Sequence, residues 1–185
     1  MATTSAAANT TPESTPVVLA DERTQLLGIL AEQRDTLLIT VRGLDDERAA
    51  RRTTVSELTL GGLIKHVART EAFWVRLMRE RDGLLLPGDL DEERMRLSDG
   101  ETLDGMLAEY AAVAEATEAA VAALPDLDVA VPLPDFPWAP SDEPVYWSAR
   151  RVLLHLLRET AHHCGHADII RESLDGANTT MQMAG

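Results

Sequence analysis

The chain has 185 residues, of which 45% are hydrophobic and only 4% aromatic, so its length suits one domain with a core and its composition favours helices. Its 31 acidic residues outnumber its 17 basic ones and give a formal charge of −14, which excludes a free nucleic-acid binder and disfavours an anionic membrane surface as partner. A single cysteine, Cys164, permits no internal disulfide, and no apolar run reaches the roughly 18 residues of a membrane span, so we expect a cytoplasmic protein.

The chain divides into one domain and two tails. Residues 1–19 are rich in Ala, Ser, Thr and Pro without hydrophobic periodicity, and are predicted to be a disordered tail. The stretch also lacks the basic start and apolar centre of a secretory signal. Residues 20–176 form the predicted domain, and residues 177–185 are expected to be loose.

Four helices are predicted within this domain from apolar residues at helical spacing. They cover about residues 21–44, 59–81, 101–124 and 146–176. The first ends near Gly43 and precedes a charged segment with room for a short helical turn. The last has Ser148 as a plausible N-cap and Gly176 as its C-cap.

Two long connections shape the predicted fold. Residues 83–100 are more than a tight helix hairpin needs, which favours a crossover returning the chain to the far end of the bundle. Residues 126–144 carry five prolines together with Phe136 and Trp138. That segment either closes over the mouth of a pocket or only seals the end of the bundle. The predicted fold class is all-α, a four-helix bundle.

Ligand-type side chains cluster on the fourth helix. At about 100° per residue, five of them share an arc of roughly 100°: His155, Glu159, His162, His163 and His166. Val152 and Ile170 point between Glu159 and His163, so that edge faces the interior, whereas His162 lies towards the margin of the apolar arc. A buried carboxylate and imidazole are costly unless they are paired or bind a metal.

His66 lies on the apolar stripe of the second helix, so two helices can direct ligands to one ion. Two imidazoles and a carboxylate suit zinc, nickel, iron or manganese, and a site with three protein ligands leaves a position open for substrate. Taken alone, His66 is more often a core histidine with a hydrogen-bond partner. By pattern alone, His162 with His166 competes equally with Glu159 and His163 as the i, i+4 pair. Cys164 points away from the cluster and is predicted to be a core thiol.

Two stretches resemble the DinB-like metalloprotein superfamily: LTLGGLIKHVARTEAFW, its second helix, and SARRVLLHLLRETAHHCGHADIIRESLDG, its fourth. The resemblance implies a four-helix bundle with a long crossover between helices two and three. It also implies a divalent metal held by His66, Glu159 and His163. Most members have a histidine at the position of Glu159. The glutamate here resembles the pattern of the mycothiol-dependent maleylpyruvate isomerase branch. His166, three residues on, is expected to be a fourth ligand, a partner of the ligands or the acceptor of a thiol proton.

What the resemblance implies about function is chemistry on a low-molecular-weight thiol. The first hypothesis is a metal-dependent thiol S-transferase, with zinc as the expected metal, that activates a mycothiol-like thiol for attack on an electrophilic small molecule. The alternatives are a thiol-dependent isomerase of the maleylpyruvate type and a non-catalytic, metal-binding stress-response protein. A homodimer is expected by resemblance only.

Overall fold

In the computed structural model, which describes residues 20–90 and 95–183, four long helices form the frame of the molecule. The elements in chain order are α1 (Glu22–Ile39), α2 (Asp46–Ala49), α3 (Leu60–Glu80), α4 (Leu103–Ala123), β1 (Ala130–Pro132), β2 (Tyr146–Ser148), α5 (Ala149–Asp175) and α6 (Thr179–Met183). The two strands pair antiparallel in one small sheet. The predicted all-α four-helix bundle is confirmed, and no described helix is both long and apolar enough to cross a membrane.

Each long helix begins at a side chain that caps its first turn. Asp21, Thr59, Thr102 and Ser148 each accept a hydrogen bond from the backbone N–H three residues ahead. These residues are close to the predicted helix starts. The end of α1 was predicted less well, because Val41 and Arg42 bond to carbonyls three residues back and tighten the chain into a turn before Gly43.

Two apolar clusters of the core show the directions in which the four long helices run. One apolar cluster contains Leu30 of α1, Leu77 of α3, Val121 of α4 and Leu153 of α5. A second cluster contains Leu37, Leu63, Leu103 and Ala167 of the same four helices. Helices α1 and α5 therefore run from the first cluster to the second, whereas α3 and α4 run the opposite way. Because α3 and α4 are parallel, the chain must return along the bundle between them, which confirms the predicted crossover.

The crossover packs tightly against the start of α3. A methyl group added at Gly62 would collide with the carbonyl of Met95, and one at Gly61 would lie 2.7 Å from the Leu97 side chain. The two glycines thus let the crossover approach the helix backbone. Residues 91–94 of the crossover lie outside the described part of the chain.

Two segments differ from their predictions. Tyr146 and Trp147 were expected to open the fourth helix, but they pair with Val131 and Pro132 as strand β2, and the helix begins only after the Ser148 cap. Aromatic residues fit a pleated strand well, and a partner strand was not visible in the sequence. The C-terminal segment is not wholly loose, because residues 179–183 form α6. The predicted N-terminal tail lies outside the described residues.

Helix α6 is fixed to the body of the bundle through its first residue. Thr179 is buried and donates two hydrogen bonds to Asp168 of α5, from its backbone N–H at 2.8 Å and its hydroxyl at 2.7 Å. These bonds satisfy donors at the helix start and give Asp168 a structural role.

Buried polar groups separate the two apolar clusters. Arg34 of α1 donates to both carboxylate oxygens of Glu71 in α3, and the hydroxyl of Thr117 in α4 also donates to Glu71. On α5, Glu159 and His163 lie between Leu156 of the first cluster and Cys164 of the second. The interior of the bundle therefore contains a polar level, at which the candidate site is found.

Candidate metal centre

The structure brings together three residues from two helices. His66 comes from α3, and Glu159 and His163 come from successive turns of α5. One donor atom from each lies within 4.8 Å of the others. Oε2 of Glu159 and Nε2 of His163 lie 3.9 Å apart. The His66 and His163 rings meet edge to face with centroids 4.8 Å apart. This is the set that the sequence singled out as metal ligands.

His163 is in the chemical state that metal binding requires. Its side chain is buried, with only 6% of the residue exposed. Burial, together with the nearby His66 and His166 rings, lowers the pKa of His163 to about 4 despite the opposing effect of Glu159. The imidazole is therefore neutral near pH 7, with a ring nitrogen lone pair available to an ion.

The two other histidines at this end of the cluster are not part of the three-donor group. His166 is half-buried, and its Nδ1 lies 3.3 Å from Nδ1 of His163, so it contacts the ring atom that does not face Glu159. His162 is exposed, and its ring packs edge to face on His166. The sequence pattern alone did not decide between His162 with His166 and Glu159 with His163 as the i, i+4 pair of ligands. In the structure only Glu159 and His163 converge with His66.

His155 was not singled out for a role by the sequence, yet it contacts the site. Its Nδ1 is 2.7 Å from Nη2 of Arg158 and 3.7 Å from Oε1 of Glu159. Burial lowers the pKa of His155, so this ring is also held neutral. The same Nη2 of Arg158 donates to Oε1 of Glu159 at 3.2 Å. Oε1 is thereby engaged from one side, while Oε2 faces His163.

On the helical wheel Arg158 lies outside the arc of ligand-type side chains, so the sequence did not predict its contact with the site. The backbone position agrees with the helical wheel, but the long side chain reaches back to the preceding turn. The cluster of ligand-type residues on one face was the available signal for His155, which lies four residues before Glu159. Nothing in the sequence pattern distinguishes Arg158 from an ordinary surface arginine.

A cavity of about 510 Å³ opens beside the three donors. His66 and Glu159 form part of its wall, whereas His163 is not among the residues that line it. Phe136 and Trp138 belong to the proline-rich connection and line the cavity as well. That connection therefore forms part of the wall of a pocket, and closure over its mouth stays a prediction.

The cysteine is suited neither to nucleophilic attack nor to binding a metal at this site. Cys164 is buried, and burial raises the pKa of its thiol to about 11. Its Sγ lies 3.4 Å from the carbonyl oxygen of Gln33. A thiol with so high a pKa holds its proton at neutral pH. The prediction of a core thiol agrees with these observations.

Comparison with models of protein families shows which family the chain belongs to. The family model described as mycothiol-S-transferase matches residues 25–176, which include every donor and the cavity-lining connection. The chain belongs to the mycothiol-S-transferase family, a DinB-like family. The predicted relationship to the DinB-like superfamily is thereby confirmed.

Solved structures support the same fold. A crystal structure described as the conserved protein of locus from Enterococcus faecalis is 14% identical in sequence, with a TM-score of 0.62. The match covers 86% of this chain and all of the other. At that identity the likeness concerns the fold alone. No curated protein matches the chain significantly.

Membership of the mycothiol-S-transferase family does not by itself identify a metal. The fit of the donors can be judged from their chemistry, since two imidazole nitrogens and one carboxylate oxygen are borderline ligands typical of zinc and neighbouring divalent ions. Three donors from two packed helices fit such an ion, and burial holds one of these donors, His163, neutral. That His66, Glu159 and His163 bind it remains a prediction.

Proposed function

We propose that this member of the mycothiol-S-transferase family joins a low-molecular-weight thiol of the mycothiol class to an electrophilic carbon of a small molecule, with a divalent metal held by His66, Glu159 and His163. The observation that carries the proposal is the position of the three donors beside a cavity of about 510 Å³, with two of them in its wall. A metal with an open position towards a cavity suits catalysis, whereas purely structural sites are closed.

Zinc is the metal we propose, because it accepts nitrogen and oxygen donors and has no redox chemistry of its own. Bound here, a divalent ion would supply Lewis acidity that lowers the pKa of a thiol placed at its open position. We also propose a cytoplasmic location, where such thiols stay reduced. The homodimer implied by the resemblance remains part of the proposal.

The surrounding residues hold the donors and shape the space for the reaction. Arg158 fixes Oε1 of Glu159, and His166 contacts the far nitrogen of His163, so both are positioning residues in this proposal. Aromatic side chains form much of the wall around this space. In the transfer, a carbon–sulfur bond forms as the bond from carbon to the leaving group breaks. The leaving group takes the electron pair, and the thiol proton passes to solvent.

An isomerase of the maleylpyruvate type is the second candidate. Its branch resembles this chain in having a glutamate at the ligand position that Glu159 occupies here. The described part of the cavity wall argues against it. Maleylpyruvate carries two carboxylates, but Arg158 is the one cationic side chain among the described lining residues, and it is already bonded to Glu159. We therefore place the transferase first.

The test combines metal analysis with product formation. Purified wild-type protein is analysed for metal, loaded with zinc, and supplied with mycothiol and either an activated aryl chloride or an aliphatic epoxide, and conjugates are detected by mass spectrometry. Metal-dependent conjugation of either electrophile supports the proposal. Turnover of maleylpyruvate alone would favour the isomerase, whereas stoichiometric metal without turnover would favour the non-catalytic protein.

The matched variants are His163→Ala and His162→Ala, which remove neighbouring histidines from the same helix. Only the first is expected to abolish conjugation, because His162 is exposed and lies outside the donor group. Equal loss in both would contradict the assignment of the ligands.

A further inference from the structure

The aromatic residues of this chain are concentrated around one cavity. The whole sequence contains three tryptophans and two phenylalanines. All five line the cavity beside the metal centre: Phe73, Trp74, Phe136, Trp138 and Trp147. They come from α3, from the proline-rich connection and from β2, so three separate segments place their aromatic rings at one site. Four of the five belong to the first apolar cluster or pack against it, whereas Trp138 does neither.

The rings form two stacked pairs. Trp74 and Trp147 lie parallel, with centroids 4.8 Å apart and planes 1° from each other. Phe136 and Trp138 stack with centroids 4.9 Å apart and planes at 20°. Trp74 is buried, whereas 68% of Trp138 is exposed. The outer pair thus leaves a large indole surface in contact with water at the cavity wall, where a ligand can cover it.

The charges of the described wall nearly cancel. Arg158 and Glu159 are its only charged side chains, and they are bonded to each other at 3.2 Å. Away from the proposed metal position, a strongly anionic ligand finds no uncommitted cationic side chain in the described wall, and a cationic ligand would meet Arg158. Indole faces carry negative electrostatic potential, so they stack favourably on electron-poor rings.

We propose that the electrophile of this site is a neutral, planar, electron-poor conjugated molecule, such as a halonitroarene, that stacks on the exposed indole of Trp138. This inference rests on the proposed thiol transfer and specifies its second substrate. The reacting carbon is directed towards the wall formed by His66 and Glu159. With a halonitroarene, the thiol sulfur bonds to the ring carbon that bears the halogen, the carbon–halogen bond breaks, the halide leaves with the electron pair, and the thiol proton goes to solvent.

The test measures binding without reaction, using 1,3-dinitrobenzene, which has no leaving group. Its affinity for the full chain is measured by isothermal titration calorimetry, in metal-free and zinc-loaded protein, and compared with that of nitrocyclohexane, which has a nitro group but no aromatic face. We expect 1:1 binding of dinitrobenzene, at least tenfold tighter than nitrocyclohexane, and a further loss of about tenfold on Trp138→Ala.

Two variants make the result specific. Trp138→Phe retains an aromatic face and is expected to restore most of the affinity. Tyr146→Ala removes an aromatic side chain that is 58% exposed but does not line the cavity, and it is expected to change nothing. Since Trp138 is largely exposed on a connection, its replacement leaves the core intact, and thermal melts of each variant verify this.

The outcomes separate this inference from the proposed function. Equal affinity for both probes, or no effect of Trp138→Ala, would overturn the stacking site even if conjugation of an epoxide occurs. Tight, Trp138-dependent binding of dinitrobenzene without any thiol conjugation would retain the aromatic site and refute the transferase.

Discussion

Nδ1 of His166 and Nδ1 of His163 lie 3.3 Å apart, while the other nitrogen of His163 faces Glu159. A hydrogen bond across the first pair fixes the tautomer and the orientation of the His163 ring. We therefore propose that His166 is a partner of His163, which is one of the three roles that the sequence left open beside fourth ligand and proton acceptor. A ring that contacts the far side of a ligand is placed to orient it.

We expect His166→Ala to weaken zinc binding by about 10- to 100-fold while the stoichiometry stays at one ion per chain, because the three donors remain and only the orientation of His163 is lost. Competition against a chromogenic chelator measures the affinity. His162→Ala serves as the control on the exposed side of the same cluster. Complete loss of stoichiometric zinc in His166→Ala would instead make His166 a ligand.

Removal of a donor is expected to have a larger effect. His163→Ala should purify without stoichiometric metal, because two remaining donors seldom hold a zinc ion firmly. His162→Ala should retain the wild-type content, since its ring is exposed and lies outside the donor group. Elemental analysis of both proteins after identical purification shows which histidine metal binding needs. Wild-type metal content in His163→Ala would refute the site.

Burial of His163 also makes the stability of the metal-free protein depend on pH. The pKa of His163 falls from 6.5 to about 4 on folding. Between these values the unfolded chain binds the proton and the folded chain does not, so the free energy of unfolding decreases as the pH falls from 6.5 to 4. The expected contribution of this group is about 3 kcal/mol.

The measurement is urea unfolding of metal-free wild type and His163→Gln over that pH range. The difference between the two proteins isolates His163 from the carboxylates that titrate nearby. The variant should lose less stability on acidification than the wild type. Parallel curves would show that the ring is not held neutral by the fold.

The buried pair of Arg34 and Glu71 provides a prediction on stability. Arg34→Met leaves the Glu71 carboxylate buried with only the Thr117 hydroxyl on it, so we expect a loss of about 3 to 5 kcal/mol in the free energy of unfolding. The double variant Arg34→Met, Glu71→Gln removes both charges and should be more stable than the single one. Chemical denaturation tests this order, and a double variant no better than the single one would contradict it.

The close approach of the crossover predicts opposite effects at two glycines. Gly62→Ala puts a methyl group into the Met95 carbonyl, so we expect a cost of about 1 to 3 kcal/mol. Gly28→Ala in α1 meets no atom within 4 Å and should stabilise the protein by up to about 1 kcal/mol, because alanine is the better helix former. Thermal unfolding of both variants is the measurement. Equal effects would mean that the crossover does not rest on α3.

Much of this molecule was determined locally by the sequence. The capping residues Asp21, Thr59, Thr102 and Ser148 set the helix starts, since each side chain satisfies backbone donors within its own first turn. The helical period placed Glu159 and His163 on one inward edge. Assignment of His66 as their partner depended on its position in an apolar stripe, and the resemblance to DinB-like proteins then favoured this set over His162 and His166.

Only the tertiary structure decided how these elements meet. The distance between His66 and the donors of α5 depends on helix packing, which no local pattern encodes. The pairing of Tyr146 with Pro132 overrode a helical expectation, because a strand is defined by its partner rather than by its own residues. The contact of Arg158 with His155 and Glu159 arises from a long, flexible side chain. Aromatic rings of α3 meet those of the proline-rich connection and β2, more than 60 residues further along the chain, for the same reason: packing sets which residues are neighbours in space.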